Sequence, residues 1–468
     1  MEGEIKMAEK NNIKLGFAPT RRNVFSREDA LKYRDMTRQK LIDMGVEMVD
    51  IDWLNEDGLL YDALDAEKAA KAFAERGVDA VFSPHCNFGT EDAVAKLAKK
   101  MAKPFLLWGP RDETPQPDGI RLRDSQCGLF ATSKVLRRIG VPFTYIENCR
   151  VEAPVFEEGV KTFLAAANVV KAFKSMRIGQ IDTRPQGFWT VMVNEGELLE
   201  RFGIEVVPIT LVELESMMKG ILKEKQEFIG TEVERIKNRV SCTGIKDEHL
   251  KNIAAMKLAI KQWAQSEGLS AVAIQCWNAM QEMLGVMPCY VNSELTEESL
   301  PVACETDIHG AVSAVIAKAA MMDKTPVFFA DVTVRHPQND NAELLWHCGP
   351  FPYSLKKEGV TGRISEHYVL PTKCPGIAEW EIKGGDISIC RFDGDNGEYS
   401  LFAAEGRGVE GPKTRGTYVW VEFKNWPEIE RKLIMGPYIH HVAGIHGRIK
   451  RVIEEALYYL PEIKQDWF

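Results

Sequence analysis

The sequence predicts an α/β protein: two doubly wound, Rossmann-like parallel-sheet domains followed by a C-terminal antiparallel β-rich, barrel-like domain. Three observations carry this. Short apolar runs alternate with amphipathic helical stretches through the first 150 residues, and the same alternation resumes beyond residue 177. From about 333 to 430 glycine and proline rise, helical spacing disappears and period-two runs replace it. Alternation of the first kind calls for an open parallel sheet with helices on both faces, whereas period-two runs suit antiparallel strands.

In the first domain (1–165), KLGFAP ends at Pro19 and residues 27–44 carry helical spacing through Ala30, Leu31, Met36, Leu41 and Ile42. MVDI (48–51), DAVFSP (79–84), PFLLWG (104–109) and FTYI (143–146) follow as strands, with helices at about 66–76 and 91–102 and a further one before residue 143. No GxGxxG or P-loop follows the first strand, so a nucleotide is not indicated. The second domain (166–326) follows a helix at about 156–174. It takes RIGQI (177–181), EVVPIT (205–210) and AVAIQC (271–276) as strands, with helices near 192–202, 211–223 and 247–267. The third domain (327–468) reads DISICRF (386–392), EYSLFAA (398–404) and TYVWVEF (417–423) as strands, and a final helix from about 442 to 459. DGDNG (393–397) is a hairpin turn, since a calcium loop would need a bidentate Glu at its twelfth position.

Composition narrows the function. The chain has 468 residues, 59 basic and 68 acidic side chains, a net charge of −9 and 45% hydrophobic residues. A net-negative chain with no basic block is a poor match for nucleic acid or anionic lipid. MEGEIKMAEKNNIK has no apolar core of a signal peptide, and no window approaches the roughly 18 uninterrupted apolar residues of a membrane helix. A cytoplasmic globular protein is expected. Ten cysteines are scattered without a CxxC pair, which argues against a zinc ribbon or a thioredoxin-type motif and for buried free thiols.

Ligands of parallel α/β sheets sit at the carboxyl ends of strands. Thr20-Arg21-Arg22-Asn23, His85-Cys86-Asn87-Phe88, Pro110-Arg111-Asp112-Glu113 and Trp277-Asn278 occupy such positions. Arg22, Asn87, Phe88, Gln275, Trp277 and Asn278 offer the donors, acceptors and aromatic faces that a polyhydroxylated ligand requires, although polar residues crowd any strand-to-helix loop. Two adjacent arginines, Arg21 and Arg22, suit an anionic substituent or, equally, a salt-bridged pair. The denser signal is CETDIHGA from Cys304, PVFFADV with Asp331, WHCGP with His347, and PYIHHVAGIHG with His440, His441 and His446. Glu305 after PVAC and Asp331 after FFA are carboxylates closing apolar runs, costly unless paired or ligating. With one or two histidines they make an oxygen/nitrogen set for a divalent cation such as manganese. Asp307 reads as a helix cap, His309 as the flank of that helix and His446 as the first turn of the last one.

The strings ACETDIHGA and VFFADVTV resemble the metal-binding segment of the L-fucose isomerase family, to which the L-arabinose isomerases are related. The resemblance implies two α/β domains with a C-terminal β-rich domain. It implies a manganese ion held by a Glu, an Asp and a C-terminal His, by position Glu305, Asp331 and His441. The HH of PYIHHV is similar to the double histidine of arabinose isomerases, whose second member is the ligand. His347 in WHCGPFP resembles a further ligand of those enzymes. The resemblance also implies a homotrimer or homohexamer in which the N-terminal domain of one subunit covers the active site of the next.

The activity expected is aldose–ketose isomerisation of an open-chain sugar through an enediolate, with Glu305 and Asp331 as metal ligands and acid/base groups. A non-catalytic sugar-binding protein and a metal-dependent aldolase or decarboxylase on the same scaffold are the competing readings.

Overall fold

A computed structural model describes residues 13–277, 279–368, 370 and 372–467. They form two compact units, one of residues 13–171 with 451–461 and one of residues 172–450 with 462–467. In the first, five parallel strands run in the order Met48–Val49, Leu15–Phe17, Ala80–Pro84, Phe105–Trp108, Thr144–Tyr145. The three central strands are buried along their whole length, as expected when helices cover both faces of a parallel sheet. Helix Arg27–Asp43 starts at Ser26, whose hydroxyl accepts the Asp29 N–H, and Ala63–Glu75 starts at Asp62 in the same way. These caps satisfy amides that a helix start leaves without partners. Segment 451–461 completes this unit. Tyr459 Oη donates to the Phe105 carbonyl at 3.0 Å, and Thr144 Oγ1 donates to Glu455 at 2.9 Å.

The second unit begins with a four-stranded parallel sheet, ordered Glu205–Ile209, Arg177–Ile181, Ala271–Ile274, Val302–Ala303. Beyond it the chain closes a six-stranded antiparallel barrel. Around the ring come Thr417–Phe423, Asn339–His347, Val327–His336, His441–His446, Gly385–Asp395 and Glu398–Val409, and the last pairs with the first. Closure removes the free edges that such strands would otherwise present. Strand Pro375–Glu381, itself paired with Arg363–Glu366, adds to Thr417–Phe423, and Ile463–Trp467 adds in parallel to Glu398–Val409. The hairpin at DGDNG turns through Asn396 and Gly397, at φ of 50° and 78°. Positive φ at both residues is the twist-compatible two-residue turn that Asn-Gly favours. No helix among the described residues is long and apolar enough to cross a membrane.

The two parallel sheets and the barrel agree with the expected fold class. The end of the chain does not match. Residues 441–446 are a barrel strand, and the helix covers only Lys450–Leu457. Ile445, Ile449, Val452 and Ile453 fit helical spacing, but HVAGIH also alternates, and a short apolar run cannot decide between the two periods. Pairing on both sides, with Val327–His336 and with Gly385–Asp395, decides for strand. His446 therefore ends a strand. Residues 192–202 resolve into Glu195–Glu197 and a π-turn over Leu198–Phe202. Helix Gln226–Arg239 and strands Asn339–His347 and Pro375–Glu381 were not anticipated.

One buried carboxylate on the barrel gives a stability prediction. Burial pushes Glu343 up to about 7; Arg335 opposes the rise and Glu430 adds to it. The fold therefore retains a proton that the unfolded chain releases above about pH 4.3, so this residue's contribution to stability falls as pH rises from there through about 7. Glu343→Gln is expected to stabilise the protein by about 1–2 kcal/mol at pH 8, solvent screening reducing the full value of such a shift. The gain should vanish near pH 4.5. Urea unfolding of both proteins at the two pH values checks it, and equal stability at pH 8 would contradict it.

Candidate metal and active site

Strand Val302–Ala303 ends at a sharp reversal in which Glu305 and Thr306 both take left-handed backbone, at φ of 53° and 58°. Two non-glycine residues in this region carry strain of the kind that persists where surrounding structure holds a side chain in place. Asp307 then caps helix Ile308–Ala320, accepting the Gly310 N–H at 2.9 Å. The turn delivers Glu305 to the carboxyl edge of the second parallel sheet. There its Oε1 accepts from Cys276 Sγ and Trp277 Nε1, both at 3.3 Å. Its Oε2 faces His347 Nε2 at 3.6 Å and His441 Nε2 at 3.7 Å.

Asp331 comes from the barrel, where Val327–His336 passes from buried to partly exposed. It lies opposite His441 on one neighbouring strand and opposite Trp346, which precedes His347, on the other. Its Oδ1 is 3.4 Å from His441 Nε2 and 3.8 Å from His347 Nε2. Ligand atoms of Glu305, His347 and His441 thus lie within 4.8 Å of one another, as do those of Asp331, His440 and His441, the two sets sharing His441. Among the described residues, Glu305 Oε2, Asp331 Oδ1 and His347 Nε2 are buried and have no hydrogen-bond partner. Such atoms are costly to bury, and a shared positive charge between them relieves the cost. The donor set fits a divalent cation of the manganese type.

A buried network supports His441. Its Nδ1 donates to Asp307 Oδ2 at 2.9 Å, which turns Nε2 toward the two carboxylates. Asp307 also pairs with both terminal nitrogens of Arg391. The Arg391 Nε donates to Asp393 at 2.8 Å, and Asp393 lies 2.9 Å from His309 Nδ1. Burial opposes a charge on Asp307, but Arg391 and then His441 outweigh it and hold the carboxyl far below the usual range. At the centre itself the two carboxylates differ. Burial disfavours the charge on Glu305, yet His347 and then His441 hold it at about 2. Burial raises Asp331, and the charge of Glu305 adds to the rise against the imidazoles.

Residues 16–174 match a family described as fucose/sulfoquinovose isomerase, N-terminal domain. The sulfoquinovose isomerase of Alkalicoccus urumqiensis is 28% identical over 391 residues, 82% of this chain and 86% of that one. The sulfoquinovose isomerase of Priestia aryabhattai is 30% identical over 378 residues, 80% of this chain and 82% of that one. The chain belongs to the fucose/sulfoquinovose isomerase family. The resemblance read from ACETDIHGA and VFFADVTV is therefore sound, and with it the membership of an aldose–ketose isomerase family. Likeness to solved structures is weak. A periplasmic solute-binding protein of Actinobacillus succinogenes 130z with bound D-allose is 10% identical and covers 66% of this chain and 92% of its own, at a TM-score of 0.17. That level carries no argument.

Within this family member, the structure brings Glu305, Asp331, His347 and His441 together. Gln275 lies beside Cys276, buried, with its Oε1 unpartnered among the described residues. The Trp277 indole packs edge-on against Phe188 at 5.1 Å, and Phe188 also faces His440 at 6.5 Å. Asn278 lies outside the described residues. Arg22, Asn87 and Phe88 belong to the N-terminal unit. Asn87 clamps a loop there: its Oδ1 accepts the Arg22 and Gly89 N–H groups at 2.8 and 3.2 Å, and its Nδ2 donates to the Arg22 and Ser26 carbonyls. The Arg22 guanidinium lies 4.3 Å over the Phe88 ring and 3.3 Å from Glu91, and Arg21 is 2.7 Å from Asp57. Each arginine of the pair thus has its own carboxylate.

Sequence reasoning missed Phe188, Arg391 and the second role of Asp307. A capping aspartate gives no sign of a histidine over a hundred residues away. Arg391, sixth of the seven residues of DISICRF, was the available clue, because an arginine inside a buried strand needs an acidic partner.

Proposed function

We propose that this chain is a divalent-metal-dependent aldose–ketose isomerase whose substrate is an open-chain aldose with an anionic terminal substituent, sulfoquinovose being the first candidate. The single observation that carries the reading is the convergence of Glu305 Oε2, Asp331 Oδ1 and the two imidazole Nε2 atoms, three of these four being buried without a partner. The relatives named above, both sulfoquinovose isomerases, support the substrate class. Glu305, Asp331 and His441, with His347 as a fourth donor, would hold manganese or another divalent cation, which supplies Lewis-acid polarisation of the substrate's C1–C2 oxygens.

The remaining chemistry falls to the side chains. One carboxylate removes the proton from C2 (or C1 in reverse), and the other moves protons between O1 and O2 as the enediolate forms and collapses. The Cys276 and Trp277 bonds to Oε1 hold the Glu305 carboxylate in one orientation. Gln275 and the Phe188–Trp277–His440 rim supply an acceptor and aromatic faces for the sugar. A cytoplasmic homotrimer or homohexamer belongs to the same reading, and sedimentation analysis checks the assembly.

The test is product analysis by NMR and mass spectrometry after incubating the full chain with Mn2+ and a panel of aldoses in heavy water, sulfoquinovose, L-fucose and L-arabinose included. The expected result is a ketose carrying deuterium at C1, fastest from the sulfonated sugar. Cleaved products would support an aldolase instead, and binding without turnover a sugar-binding protein; either overturns the isomerase reading.

A further inference from the structure

Four buried cysteines surround the carboxylate–imidazole cluster, and the chemistry above uses only the bond from Cys276 to Glu305. Cys276 and Cys304 stand beside Glu305. Cys289 and Cys348 stand on the His347 side, their sulfurs 3.1 Å apart. A disulfide is roughly 2.05 Å long, so a movement of about 1 Å joins them. The fold brings this pair together by two local devices. Gly349 follows Cys348, and a Cβ on it would stand 2.4 Å from Ala378 N and 3.0 Å from the Cβ of Cys289, so glycine lets the loop lie against both strand Pro375–Glu381 and the start of helix Cys289–Glu297. Ser293, one turn along that helix, donates to the Phe351 carbonyl at 2.8 Å and ties the same loop down again. His347 Nδ1 accepts the Cys348 backbone N–H at 2.9 Å and lies 3.2 Å from Cys348 Sγ, so a shift of Cys348 is felt by an imidazole whose other nitrogen faces Glu305 and Asp331.

We propose that Cys289 and Cys348 form a reversible dithiol–disulfide pair that hydrogen peroxide closes, and that closure weakens the hold of the neighbouring centre on its divalent cation through His347. Cys348 is the less buried residue of the two, at 7% exposure against 0% for Cys289, and is the one that meets the oxidant. Its sulfur attacks one peroxide oxygen and the O–O bond breaks, leaving a sulfenic acid and one water. Cys289 Sγ then attacks the sulfenic sulfur: the S–S bond forms, the S–O bond breaks and a second water leaves. Two thiols lose two electrons and two protons, and the peroxide becomes two waters. The new bond draws Cys348 toward the helix and so displaces both its sulfur and its backbone N–H from His347 Nδ1. Disturbing the outer partners of a ligating histidine typically costs about 10–100-fold in metal affinity. This coupling rests on the metal-centre reading above, whereas formation of the disulfide does not.

The experiment uses the full chain, reduced with dithiothreitol and then exposed to a small excess of peroxide. Non-reducing peptide mapping after alkylation reads the link, and calorimetric titration with Mn2+ reads the affinity. A peptide joining Cys289 to Cys348, an affinity 10–100-fold lower than that of the reduced protein, and recovery of both on renewed reduction are expected. Cys289→Ser, with Cys289→Ala as a second form should the hydroxyl disturb folding, should bind Mn2+ like the reduced parent and form no link. A link confined to Cys276 and Cys304, no link, or an unchanged affinity once Cys289 and Cys348 are joined overturns the proposal. So does an equal loss of affinity in a peroxide-treated Cys289 variant, since oxidation of Cys348 alone would then suffice. If the reduced parent binds no Mn2+, the metal reading and the coupling both fail, while the peptide map still decides the disulfide.

Discussion

Glu305→Gln is expected to lower ketose formation at least about 10³-fold, within the range that positioned acid/base groups contribute, without unfolding the protein. Glutamine keeps the length and shape of the side chain, and its amide oxygen can still accept from Cys276 and Trp277. What it removes is the negative charge at Oε2, where the amide nitrogen would instead present protons to His347 and His441. On the proposed roles a base is lost and a metal donor becomes a repelling group, so Mn2+ affinity should fall together with turnover. Asp331→Asn should act similarly, and the double variant should lose little beyond either single one, because groups that act as a unit are strongly non-additive. Far-UV circular dichroism and thermal unfolding establish the fold, and NMR progress curves establish the rate. A well-folded Glu305→Gln protein turning over at close to the parental rate would remove Glu305 from the chemistry.

The sequence disclosed the layers of this fold more readily than their joints. Strand–helix alternation is a local signal, and AVFSP, FLLW and AVAI are buried strands as their apolar runs require. The barrel was visible in DISICRF, EYSLFAA and TYVWVEF, but its closing strand HVAGIH passed for helix, because only partners over fifty residues away on each side decide its period. The site shows the same division. Glu305 and Asp331 stood out as carboxylates closing apolar runs, a local anomaly. Asp307 did not, because a complete local explanation, capping Ile308–Ala320, was already at hand and is also correct. Arg21 and Arg22 left two readings open. Their adjacency suited an anionic substituent or, equally, a salt-bridged pair, and Asp57 and Glu91 pair with them within the N-terminal unit.

Asp307→Asn carries the second large expected effect, a loss of about 3–5 kcal/mol of stability, as for breaking a buried ion pair from one side. The carboxylate accepts the Gly310 N–H, faces both terminal nitrogens of Arg391 and accepts the His441 Nδ1–H, all with no more than 1% of its surface exposed. An amide has one acceptor oxygen for these donors and must turn its own N–H groups toward either the guanidinium or the imidazole. Arg391, fully buried, keeps only Asp393. His441 loses the partner that sets its tautomer, so Mn2+ affinity should drop about 10–100-fold. Asp393→Asn separates the two effects. It also strips a charge from Arg391 but does not touch His441, so it should destabilise the fold while leaving Mn2+ affinity near that of the parent. Acid gives a further check with a defined sign. The folded pKa of Asp307 lies far below its unfolded value of about 3.9, so its stabilisation is complete above that pH and fades as pH falls below it. The stability gap between parent and Asp307→Asn should therefore be constant from pH 8 to about pH 5 and narrow below pH 4. A gap under about 1 kcal/mol at pH 7 in urea unfolding, or parental Mn2+ affinity in the folded variant, would mean that Asp307 is a helix cap and nothing more.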